Sequence, residues 1–122
     1  MAGMLYLVPT PIGNLGDISK RARETLESAD FIAAEDTRVT LKLLNHLELK
    51  KPLVSYYEHN KSFKGEKILD RILSGETCAL VSDAGSPAIS DPGEDLVKQC
   101  AAAGITVCAI PGPCAAITAL SI

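Results

Sequence analysis

Four polar turns hold the residues of this chain that can do chemistry. Glu35-Asp36-Thr37-Arg38 sets two acids, a hydroxyl and a base side by side. Such a cluster can orient a polyol or accept a proton as a general base. On residue types alone, helix capping by Asp36 or Thr37 with a local ion pair to Arg38 is the slightly stronger reading. Asp83-Ala84-Gly85-Ser86-Pro87 is richer. Asp83 falls at a strand end, where its carboxylate can receive an amine or hydroxyl. Gly85 permits close backbone contact, and Ser86 adds a hydroxyl that Pro87 restricts to an extended shape. A turn-forming Asp is the alternative for Asp83, and a site is the preferred reading. In Pro9-Thr10-Pro11-Ile12-Gly13-Asn14-Leu15-Gly16-Asp17, two glycines allow close approach and the helix start that follows offers free N–H groups. An ordinary strand-to-helix turn explains that loop equally well, and it is not the G-x-G-x-x-G dinucleotide fingerprint. The fourth turn is Ile110-Pro111-Gly112-Pro113-Cys114.

These turns need a scaffold, and the hydrophobic pattern supplies one. Short apolar runs at 5–8, 31–34, 53–57, 77–81 and 105–110 read as strands. Between them, helical spacing predicts helices over 18–28, 39–47, 60–73 and from Asp91 to about 103. Asp17 is the expected cap of the first helix, and Ile18, Ala22, Leu26 and Ala29 are its inward positions. Leu43, Leu44 and Leu47 face inward on the second. Gly75 and Gly104 stop the third and fourth. Asp91-Pro92-Gly93-Glu94 is a strong helix start. Alternating strands and helices predict an α/β fold, with an open, mainly parallel five-stranded sheet flanked by helices. In such a sheet the strand-to-helix turns share the carboxyl edge, where ligands bind.

Composition sets the bounds. The 122 residues suit a single α/β domain over 1–122, with 47% hydrophobic and 22% charged residues. Aromatics are 4% and Trp is absent, so the core is aliphatic. A net charge of −3 gives no argument for a nucleic-acid partner and does not exclude one. No apolar run approaches the ~20 residues of a membrane span, and the start shows no signal peptide. Cys78, Cys100, Cys108 and Cys114 form no C-x-x-C pair and do not cluster with the two His residues, so no metal site is expected. Buried reduced thiols in a cytoplasmic protein fit that spacing. The basic groups Lys20-Arg21-Arg23, Lys50-Lys51 and Lys61-Lys64-Lys67 read as solvated helix faces. Tyr56, Tyr57 and His59 can stack on or bond to a base, but the edge of the core is the expected role. The stretch 115–122 is apolar, uncharged and without a stop signal. It leads us to expect a piece cut at a domain junction, self-associating through that tail or an exposed face.

Taken together, the first loop, Ala34-Glu35-Asp36-Thr37-Arg38, the 80–93 turn and the segment 111–120 resemble the ribosomal-RNA branch of the tetrapyrrole methylase superfamily. The match runs over nearly the whole chain, with Ser86 at a position where Thr is common. The resemblance implies S-adenosylmethionine-dependent methylation of the 2′-hydroxyl of a cytidine in 16S rRNA, on the 30S subunit. It implies two α/β lobes with the cofactor in the trough between them. This chain would be the first lobe, expected to be inactive alone and to form a homodimer. Carried onto this sequence, Ile12 and Gly13, then Asp83, Gly85 and Ser86, then Pro113, Cys114 and Ala115 would line the cofactor trough. Glu35, Asp36 and Arg38 would hold the target ribose. The small-molecule members of the superfamily have a more glycine-rich first loop, which favours the RNA branch. Methylation of a tetrapyrrole and a non-catalytic nucleotide-binding module are the competing readings.

Overall fold

The computed structural model describes residues 3–9, 18–57, 60–81 and 93–110. Strand β1 spans Met4–Val8, β2 Phe31–Ala34, β3 Leu53–Ser55, β4 Cys78–Val81 and β5 Thr106–Ala109. Helices α1 (Lys20–Ser28), α2 (Thr37–His46), α3 (Lys61–Leu73) and α4 (Gly93–Ala102) alternate with them. The strands form one sheet in the order β3-β2-β4-β1-β5, and every pairing is parallel. The expected α/β class and five-stranded parallel sheet are therefore observed.

Alternation along each strand divides the core in two. Val8, Ile32, Ala34, Ala79 and Val81 face α1 and α2, packing with Ala22, Leu26, Leu43 and Leu44. Leu5, Phe31, Ala33, Cys78 and Leu80 face α3 and α4, packing with Ile68, Ile72, Leu96 and Cys100. β2 and β4 are buried along their full length because both faces are covered. The chain crosses the sheet from β1 through β2 to β3 with its helices on one face. It returns through β4 to β5 with its helices on the other. A single hand of crossover demands that change of face when the direction reverses.

The element boundaries shift from the sequence expectation for local reasons. α1 starts at Lys20 and is capped by Ser19, not Asp17: the extended Ser19 accepts from the Ala22 N–H at 3.1 Å through its Oγ. α2 starts two residues earlier than expected, at Thr37, because Asp36 caps it. β3 stops at Ser55, although the Tyr56 N–H still donates to the Ala34 carbonyl at 2.8 Å. The expected helix start at Asp91 and Pro92 and the apolar stretch 115–122 lie outside the described residues.

Three helix ends share one device. After α3, the Gly75 N–H donates to the Ile72 carbonyl and the Glu76 N–H to Arg71, closing a Schellman turn with Gly75 at φ 115°. Gly104, at φ 78°, does the same after α4, with Ile105 bonding back to Cys100. After α2 the left-handed position is Glu48, at φ 59°, with Leu49 bonding back to Leu44. A side chain in that region costs about 1–2 kcal/mol, part of which glycine gives back as unfolded-chain entropy. Glu48→Gly is expected to stabilise the fold by roughly 0.5–1 kcal/mol, read as a raised urea midpoint with unchanged slope.

The amino edge of the sheet is tightly built. The Arg71 guanidinium makes two 2.9 Å bonds to the Glu76 carboxylate and lies 3.7 Å from the Phe31 ring centroid. The Gly3 N–H donates to the Ile72 carbonyl at 2.8 Å. A Cβ on Gly3 would fall 1.8 Å from the Glu76 carbonyl oxygen. That neighbour is backbone held by the Schellman turn, so it yields little. Gly3→Ala is expected to destabilise the fold by about 1–3 kcal/mol in the same urea titration.

The described cysteines Cys78 and Cys100 are buried and Cys108 is half-buried; all three are free. Burial pushes the Cys78 thiol far above its ordinary range and the Cys100 thiol up to about 11. Both are therefore protonated and unreactive at neutral pH. Among the described residues no group of three or more His, Cys, Asp or Glu could hold a metal ion, and no helix is long and apolar enough to cross a membrane.

Candidate active site

The carboxyl ends of the strands lie level. Ser55 pairs with Ala34, Ala34 with Val81, and Val81 with Val8. On the far side the Ile110 N–H donates to the Leu7 carbonyl at 3.0 Å, which brings the end of β5 to the same rim. β2 and β4 are neighbours whose following connections leave in opposite directions, one toward β3 and one toward β5. That is a topological switch point, the crevice where open α/β sheets bind ligands.

Glu35-Asp36-Thr37-Arg38 leaves β2 at this crevice. Glu35 is exposed, beyond the buried Ala34. Asp36 turns the chain into α2: its Oδ1 accepts from the Arg38 backbone N–H at 2.9 Å. The Arg38 side chain folds back on the same carboxylate, with Nε–H to Oδ1 and Nη2–H to Oδ2, both at 3.3 Å. The side-chain bond from Arg38 is the main cause of a carboxyl held below the usual carboxylate range, and it raises the guanidinium in turn. Asp36 is thus an ionised acceptor, and the cap and ion pair weighed from the sequence are both present. Arg38 remains 88% exposed. Asp36 engages two of the five N–H donors of a guanidinium, so three remain for other acceptors.

The rim here opens into a depression of about 380 Å³, lined by Glu35, Asp36, Thr37, Arg38, Ser55 and Tyr57. Its lining is mostly polar, with one aromatic ring. Tyr56 is 1% exposed and belongs to the α3/α4 side of the core, as expected. Tyr57, expected at the edge of the core, is 39% exposed and belongs to the depression. Ser55 carried no signal of its own in the sequence. Alternation does not single it out, because Leu53 shares the parity of Ser55 and Tyr57 and packs against the α1/α2 side of the core.

Of the candidate residues, Glu35, Asp36 and Arg38 stand together at this depression. Ile12, Gly13, Asp83, Gly85, Ser86, Pro113, Cys114 and Ala115 lie outside the described residues. The strands that lead into their loops, β1, β4 and β5, are side by side in the sheet. Lys20, Arg21, Arg23, Lys50 and Lys67 are exposed, the solvated faces expected, and some members of these groups also tie elements together. The Arg23 guanidinium donates to the Leu47 carbonyl and the Lys51 ammonium to Ala29. Lys61 pairs with Asp95, joining α3 to α4, and Lys67 sits 4.4 Å from the Phe63 ring centroid.

Known proteins are similar to this chain in sequence and in fold. Residues 4–122 match the model of the family described as Tetrapyrrole (Corrin/Porphyrin) Methylases. The ribosomal RNA small subunit methyltransferase I of Vibrio cholerae is 56% identical over 98% of this chain, covering 42% of its own length. The protein of the same name from Halalkalibacterium halodurans is 59% identical over 97% of this chain and 41% of its own. The chain thus spans about two fifths of the length of these relatives. Among solved structures, diphthine synthase superposes with a TM-score of 0.74 at 17% identity, over 98% of this chain and 48% of that one. Uroporphyrin-III-C-methyltransferase from Thermus thermophilus gives 0.72 at 23% identity, over 98% and 50%. At those identities the superpositions speak to the fold alone. The family model and the relatives match the same span, nearly the whole of it, and on that agreement the chain belongs to the tetrapyrrole (corrin/porphyrin) methylase family.

Proposed function

We propose that the protein carrying this chain transfers a methyl group from S-adenosylmethionine to the 2′-hydroxyl of a cytidine in 16S rRNA of the small ribosomal subunit. The observation that carries the reading is the 56–59% identity, along nearly all of this chain, to relatives named ribosomal RNA small subunit methyltransferase I. The position of the acidic and basic cluster at the switch point supports it.

The donor, when bound, supplies an activated methyl carbon on a sulfonium. Ile12, Gly13, Asp83, Gly85, Ser86, Pro113, Cys114 and Ala115 are the residues proposed to hold it. Their support is that the strands preceding them end together on one rim. The chain's own task is then to align the ribose oxygen with the methyl carbon, exclude water and receive the hydroxyl proton. Alignment of this kind is worth up to about 7–11 kcal/mol. Asp36 and Arg38 form a pre-set acceptor and donor pair suited to hold vicinal ribose hydroxyls. Asp36 is a weak base, since its carboxylate is already held below its ordinary range. Glu35, or Asp83 from the sequence that follows β4, is the better candidate for the proton. The partners proposed are 16S rRNA within the 30S subunit and a second copy of the protein, in the cytoplasm.

The test is methyl transfer by the full-length protein with labelled donor, offered 30S subunits and, separately, a precorrin-type tetrapyrrole. Label on a cytidine ribose of 16S rRNA is the expected result. Label on the tetrapyrrole alone, or nucleotide retained with no transfer to either, would overturn the proposal.

A further inference from the structure

Tyr57 is an exposed ring in a chain with very few aromatics, and its backbone is clamped. The Asn60 Oδ1 accepts from the Tyr57 N–H at 2.7 Å, and the Asn60 Nδ2 donates to the Ser55 carbonyl at 3.1 Å. One amide thus spans the chain around Tyr56, whose own N–H is fixed to Ala34. The clamp fixes the backbone of Ser55 and Tyr57, which line the depression together with Asp36 and Arg38. Asn60 gives no side-chain hydrogen bond to the start of α3, the usual use of an Asn at that position. Its amide is committed to the segment that carries Tyr57.

The lining also selects among ligands. Two carboxylates and one guanidinium disfavour a polyphosphate and suit an uncharged, hydroxyl-bearing sugar. A ring beside them suits the flat face of the attached or adjacent base. Proteins that act on RNA nucleotides splay bases out and stack them on aromatic side chains. We propose, resting on the RNA-methyltransferase reading above, that Tyr57 is the platform on which an RNA base stacks as its ribose, or that of the next nucleotide, reaches Asp36 and Arg38. Asn60 is the residue that positions this platform. Stacking tolerates any base, so Tyr57 holds the strand and leaves base identity to other contacts.

The experiment uses the full-length protein and a small-subunit rRNA oligonucleotide containing the methylated cytidine. RNA affinity is measured by fluorescence anisotropy, and S-adenosylmethionine affinity by calorimetry. Tyr57→Ala is expected to weaken RNA binding about 5- to 150-fold, the usual cost of removing one stacking ring. Tyr57→Phe and Tyr57→Trp should stay within about threefold of the parent, because they keep the ring face. Cofactor affinity should be unchanged in all three, which also shows that they fold. Asn60→Ala should weaken RNA binding less than Tyr57→Ala, and should add little in the double variant. Parent-like RNA affinity in Tyr57→Ala would overturn the stacking role while leaving the methyltransferase reading intact. Equal losses in Tyr57→Ala and Tyr57→Phe would replace the ring face with the hydroxyl, and would also overturn it. A parent protein that neither binds nor methylates the RNA would sink both readings.

Discussion

Replacing Asp36 or Arg38 with Ala in the full-length protein is expected to lower turnover about 10²-fold, with S-adenosylmethionine affinity held within about threefold. The expectation follows from where the pair stands. It occupies the β2 side of the switch point, while the proposed cofactor loops follow β1, β4 and β5. A ribose misplaced by an ångström loses alignment with the methyl carbon and nothing else. Asp36 has a second duty, because it caps α2 through the Arg38 N–H. Asp36→Asn separates the two. Asn caps about as well as Asp, so that variant should keep its melting temperature yet lose turnover. Arg38→Lys keeps the charge and loses the fork, and should be nearly as slow as Arg38→Ala. Unchanged turnover in both alanine variants would remove the pair from the mechanism.

The pH dependence of this pair has a definite sign. The Asp36 carboxyl is lowered from an ordinary value of 3.8 by its bond to Arg38. A depressed folded value means that the contribution to stability is complete above about 3.8 and is lost only as the pH falls through the lower folded value. Asp95 and Glu76 are lowered in the same direction by Lys61 and Arg71. Any fall in turnover between pH 5 and 8 then comes from a group other than Asp36.

The isolated chain of 122 residues is expected to transfer no methyl group at all and to bind S-adenosylmethionine far more weakly than the full-length protein. It spans about two fifths of relatives such as the Vibrio cholerae protein. In the proposed arrangement the donor lies in a trough to which a second lobe contributes. Removing half of a binding site that must exclude water removes alignment and desolvation together. Calorimetry and a transfer assay on the isolated chain check the point directly. Tight donor binding by the chain alone would show that one lobe suffices.

Much of the fold was legible because it rests on pattern. The uninterrupted apolar runs ending at Ala34 and Val81 read as strands of a sheet covered on both faces, and both are buried throughout. Gly75 and Gly104 marked helix ends because left-handed backbone favours glycine, and both take positive φ. Glu48 was illegible for the same reason, since its residue type hides the left-handed turn it makes. The cap of α1 was misjudged because Asp17 and Ser19 can both cap, and local preference does not choose between them.

The site divides along the same line. From the sequence alone came the class of fold, the candidate cluster of Glu35, Asp36 and Arg38, and the family resemblance, since residue type and spacing along one chain determine these. Which strands are neighbours depends on contacts between distant segments, and only the tertiary structure decides it. The strand order makes β2 and β4 adjacent, and so sets the carboxyl ends of these two strands at one switch point. It also brings Ser55 and Tyr57 to Asp36 and Arg38 across the β2–β3 boundary. No periodicity within 53–57 could reveal that meeting, because strand pairing is a property of the sheet and not of any strand.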